Sequence, residues 1–66
     1  MGGFLIKEST PINAFLAYTI ARNEGGAKFE IYCKDRNFRD ELRRILSDQE
    51  YRKRIETKNG NLIVEL

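Results

Sequence analysis

The chain has 66 residues, a third of them charged, with a formal net charge of +2. A chain this short makes one domain, residues 1–66, and buries only roughly 60% of the surface that its unfolded form exposes. With a single cysteine, Cys33, and no histidine, it has neither an internal disulfide nor a protein-only zinc site to reinforce so small a core.

What remains is tight packing, ion pairs or pairing with a second copy, and a homodimer is expected on that ground. No apolar stretch is long enough for a bilayer span, and none sits behind a basic start as a secretory signal requires. One cysteine without a disulfide framework suits a reducing compartment. The expectation is a cytoplasmic protein with no membrane partner.

The elements read in chain order as follows. "GFLIKES" is a short strand with Phe4 and Ile6 on one face and Leu5 and Lys7 on the other. "STPIN" starts a helix over about 11–24: Ser9 or Thr10 can cap it, and Pro11 suits its first position. Ile12, Phe15, Leu16, Thr19 and Ile20 recur along it at helical spacing, with Ala14, Ala17 and Ala21 between them. Gly25 is available for a left-handed stop. The exposed N–H groups at the start of this helix, beside Ser9 and Thr10, also suit an anion such as a phosphate oxygen.

"AKFEIYCK" alternates strictly, with Phe29, Ile31 and Cys33 facing the core and Glu30, Tyr32 and Lys34 facing away. Cys33 on that apolar side reads as a small buried hydrophobe. Asp35 or Asn37 can cap a second helix with Phe38, Leu42, Ile45 and Leu46 as its apolar stripe. Ser47 and Glu50 have capping-box spacing, so a break and a short restart are expected there.

Asn59-Gly60 lies between two β-like runs, the pair of residues a type I′ turn demands. The turn sets a register of Lys58 with Asn61, Thr57 with Leu62, Ile55 with Val64 and Arg54 with Glu65. Ile55, Thr57, Leu62, Val64 and Leu66 then share the core side. The order is βαβαββ, and a right-handed first crossover makes the first two strands parallel. The fold class is α+β: a two-layer sandwich with a four-stranded mixed sheet and both helices on one face.

Enzymatic chemistry finds no foothold, and no catalytic residue, cofactor or metal site is expected. No histidine is present to act as a base, and the glycines of "NEGGAK" follow a helix instead of opening one. The carboxylates fall beside basic residues at helix spacing, as in Asp40–Arg44 and Arg44–Asp48, the pattern of surface ion pairs.

The basic residues are more organised. Residues 34–58 hold nine of them against six acidic ones. Arg36, Arg39 and Arg43 share a face of the second helix, with Lys34 leading into it. Arg52, Lys53, Arg54 and Lys58 cluster on the third strand and the hairpin. A basic helix face and a protruding basic hairpin can together track a phosphate backbone. Tyr32 and Tyr51 offer rings for stacking on bases.

The run "NAFLAYTIARNEGGAKFEIYCKDRNFRDEL" resembles the first helix and second strand of the Alba family of archaeal chromatin and RNA-binding proteins. The likeness lies in Pro11, Asn13, Leu16, Ala17, Asn23, Glu24 and Gly25 and in the βαβαββ order. It implies a small DNA- or RNA-binding protein of low sequence specificity. The chain is also similar in length and element order to the TusA-type sulfur carriers. Thr10-Pro11 stands where that family has its reactive cysteine and proline, which implies a related fold without the sulfur chemistry, serving as a protein-interaction module.

Overall fold

A computed structural model describes residues 3–48 and 53–66. The elements are β1 (Phe4–Ile6), α1 (Pro11–Asn23), β2 (Lys28–Ile31), α2 (Arg36–Ser47), β3 (Arg54–Lys58) and β4 (Asn61–Glu65). The strands lie in the order β1-β2-β4-β3. β1 and β2 are parallel, and β4 is antiparallel to both of its neighbours. The two helices cover one face of the sheet, so the α+β architecture is the expected one.

Local chemistry sets the element ends. The Thr10 side chain accepts a hydrogen bond from the Asn13 N–H at 3.1 Å, and Pro11 takes the first helical turn. At the other end of α1, the N–H of Gly26 donates to the Ala21 carbonyl and that of Gly25 to the Arg22 carbonyl, both at 3.0 Å. These are the two bonds of a Schellman stop, and Gly25 supplies its left-handed residue at φ 99°. Asp35 caps α2 by accepting from the Phe38 N–H at 2.8 Å. α2 runs unbroken to Ser47; the restart expected from Ser47 and Glu50 lies outside the described residues.

The hairpin follows its turn. Asn59 and Gly60 have φ of 53° and 83°, and the β3–β4 register is the one the turn predicts. Leu62 and Val64 are buried and Ile55 partly so. Thr57 and Leu66, expected on the core side, are exposed. Both are peripheral: Thr57 lies on the outer strand and Leu66 beyond the end of β4.

The first helix corrects the sequence reading. Its buried residues are Ala14, Tyr18 and Ala21, with Phe15 and Ala17 packed at the margin. Ile12, Leu16 and Ile20 point outward, 60%, 53% and 60% exposed. Two alanines let α1 lie close to the sheet, and Tyr18 fills the space between them. Its ring meets Phe29 edge to face with centroids 4.9 Å apart, and Phe4, paired with Phe29 across the strands, stacks on it at 5.7 Å.

Gly26 makes room for this group. A Cβ there would lie 2.6 Å from the Phe4 ring, 2.8 Å from the Phe29 ring and 2.9 Å from the Ala21 carbonyl oxygen. Gly26→Ala is expected to lower stability by about 1–3 kcal/mol through overpacking. That loss would appear as a fall in melting temperature of roughly 4–8 °C per kcal/mol for a domain of this size. An unchanged melting temperature would show that the rings give way freely. The Tyr18 hydroxyl is buried and has no hydrogen-bond partner among the described residues. Since leaving a buried polar group unpaired costs about 1–3 kcal/mol, Tyr18→Phe is expected to keep or raise the stability measured by urea unfolding.

Candidate nucleic-acid interface

The strand directions decide which charged residues meet. β1, β2 and β3 all end at the same edge of the sheet, the edge where the hairpin turns and where both helices begin. Contacts across this end tie it together. The Lys7 ammonium lies 5.3 Å from the centroid of the Tyr32 ring, and Tyr32 donates its N–H to the Ile6 carbonyl at 2.9 Å. Asn61 joins the hairpin to the exit of β2. Its Oδ1 accepts from the Cys33 N–H at 3.0 Å, and its Nδ2 donates to Glu30 Oε2 at 3.2 Å.

Lys34 and Arg36 stand exposed at the start of α2, and Lys58 is exposed at the hairpin. Lys7 joins them from the segment after β1, far in sequence from the other basic residues. Its only signal was indirect: parallel pairing of the first two strands brings the residue after β1 beside the exit of β2. Arg39 and Arg43 sit behind this row, half-buried and engaged. Arg39 pairs with Asp40 at 3.3 Å, and Arg43 donates to the Thr57 hydroxyl. Arg43 thereby ties α2 to β3, whereas the Arg39 pair lies within α2, and the charge of both still adds to the local field. Arg44 pairs with Glu41 at 3.2 Å, and not with Asp40 or Asp48 as spacing predicted.

The second expected cluster separates. Strand alternation sends Arg54 and Lys58 to the open face of the sheet, with Glu56 between them. Lys53 and Arg54 lie at the far end from the hairpin tip. Lys53 is half-buried, and burial together with nearby Arg22 holds its ammonium below the usual lysine range. Arg52 and Tyr51 lie outside the described residues.

The open face carries a shallow depression of about 530 Å³ lined by charges of both signs, including Lys28, Glu30, Glu56 and Lys58, with Leu5 and Ile63 at its floor. This mixture suits no single ionic ligand. At the start of α1, Thr10 is committed to its cap and Ser9 is exposed beside it. Among the described residues no group of three or more His, Cys, Asp or Glu side chains could hold a metal ion, and no helix is long and apolar enough to cross a membrane.

No family model matches the chain, and no curated protein or solved structure is significantly similar to it.

Cys33 lies under this end, buried, with its Sγ 3.5 Å from the Ile31 carbonyl oxygen. Burial pushes its thiol above the usual value, against the lowering effect of a hydrogen bond from the Leu62 backbone and of Arg39 and Arg43. The thiolate is the reactive form, so Cys33 is expected to be inert at neutral pH. An aromatic disulfide reagent at pH 8 should label the native protein far more slowly than the urea-unfolded chain. Equal rates would place the thiol at the surface.

Proposed function

We propose that this protein is a small non-enzymatic nucleic-acid-binding protein of low sequence specificity, and that it binds through the end of the sheet where both helices begin. The observation that carries this reading is the placing of Lys7, Lys34, Arg36 and Lys58, from three separate segments, at one end of the fold, with Arg39 and Arg43 behind them. The N-termini of α1 and α2 open toward the same side, and each adds a partial positive charge to that of the side chains. Lysines and arginines drawn from a loop, a helix start and a hairpin tip neutralise phosphates along a backbone without reading bases. The half-exposed Tyr32 ring, under Lys7, offers a stacking surface in the same place. Arg54 and Lys53, at the opposite end, are left outside the footprint.

A mobility-shift assay with duplex DNA, structured RNA and single strands tests the reading. Binding is expected at low salt on every sequence and is expected to weaken steeply as salt rises. Replacing Lys34, Arg36 and Lys58 with Ser should lower affinity on all sequences alike. It should also flatten the dependence of log K on log salt by about 0.9 for each lost duplex contact, or about 0.7 for single strands. Replacing Lys28 and Arg54 with Ser, at the far end, should leave the slope in place. An absence of binding to all three nucleic acids at low salt would overturn the proposal and favour the protein-interaction module.

A further inference from the structure

The two helices differ in what they show to solvent. α2 carries Arg36, Arg39, Asp40, Glu41, Arg43 and Arg44, the ordinary charged exterior of a surface helix. α1 has one charged residue, Arg22, and its guanidinium lies over the Tyr18 ring, 5.3 Å from the centroid. Its outer face is Ile12, Leu16 and Ile20, flanked by Asn13, Thr19 and Asn23, without a charge in a chain that is one-third charged. A helix apolar on its inner and outer sides alike has the composition of one buried on both sides.

We infer that the outer face of α1 is the seam of a homodimer, in which the helix packs antiparallel against the α1 of a second copy with Leu16 on the two-fold axis. The spacing is self-complementary: residues 12, 16 and 20 form a single i, i+4, i+8 ridge, and a two-fold through Leu16 sets Ile12 against Ile20 of the second copy. A two-fold interface needs a patch that matches itself in this way. Thr19 adds no polar cost, because its hydroxyl already donates to the Phe15 carbonyl of its own helix at 3.0 Å.

Charge chooses the orientation. A parallel pair would bring together the two ends that bear Lys7, Lys34, Arg36 and Lys58, whereas the antiparallel pair keeps them apart and aligns the helix dipoles favourably. It also chooses the occupant. A neutral ridge offers nothing to steer a charged partner, and it lacks the flanking Lys and Arg with which a helix settles on a lipid surface.

The three side chains expose on the order of 300 Å² of apolar surface, at the lower end of a typical largest patch. With the flanking residues, two copies would bury on the order of 1,000 Å² in total, the size of weak, reversible interfaces, so a concentration-dependent dimer is expected. The seam is independent of the nucleic-acid reading.

Sedimentation equilibrium from low micromolar to several hundred micromolar is expected to show a monomer–dimer equilibrium. Leu16→Asp places two carboxylates face to face on the axis and should weaken it by roughly a hundredfold or more. Leu16 is exposed, and circular dichroism should report an unchanged fold. In a Cys33→Ala background, Leu16→Cys should cross-link to itself on oxidation. Ile12→Cys and Ile20→Cys should cross-link to each other when mixed, and neither with itself. A monomer at every concentration, a dimer untouched by Leu16→Asp, or self-cross-linking of Ile12→Cys as fast as of Leu16→Cys would each overturn the inference.

Discussion

The fold turns on Phe29. Its backbone pairs with Phe4 in one direction and with Val64 in the other, so it joins the parallel and antiparallel halves of the sheet. Its ring contacts both Tyr18, edge to face, and Phe4, stacked. Gly26 borders the same rings from the end of α1 and leaves the volume they occupy. A sheet of three- to five-residue strands has few places where so many constraints meet. α1 takes its depth over the sheet from this cluster, with Ala14 and Ala21 above and below Tyr18 permitting the close approach. Close packing of this kind does for a small core what a disulfide does elsewhere.

Local signals in the sequence were read well because local chemistry decides them. Asn59-Gly60 dictates the hairpin register, since both residues must take positive φ and few pairs do so cheaply. Thr10 and Asp35 cap their helices through side-chain bonds that span three residues, and Gly25 stops α1 for a conformational reason of its own. α1 was harder, because periodicity locates an apolar face only when the opposite face is polar. Both faces here are apolar. The large aliphatic ridge was the more conspicuous in sequence, but the sheet accepted the face with the small residues and one aromatic.

The basic residues show the other limit of linear reading. Residues 52–54 look like one cluster along the chain, yet in a strand adjacent side chains leave opposite faces of the sheet. Arg54 opens β3 and Lys53 precedes it, so both stand away from Lys58 by the length of that strand. Conversely, Lys7 and Tyr32 are far apart in sequence and meet because the β1–β2 crossover returns the chain in parallel. Arg39 and Arg43 were legible as part of a basic helix face, but their bonds to Asp40 and Thr57 depend on where neighbouring side chains come to rest. Spacing alone carries no record of that.

Asn61 extends the link between β2 and β4 one step beyond their backbone pairing. By accepting from the Cys33 backbone and donating to Glu30, it ties the root of the hairpin to the turn that launches α2. Arg43 makes a second tie, from the body of α2 to Thr57 on β3. The backbone positions of Lys34, Arg36 and Lys58 are thus set relative to one another, while their side chains extend into solvent. Under the proposed function, a polyanion would meet a backbone frame already in place, so the ordering on association would fall on the long side chains and not on the segments that carry them. On that reading the frame would set the intervals between the basic side chains, and their length would set how far a phosphate backbone could depart from those intervals and still be engaged.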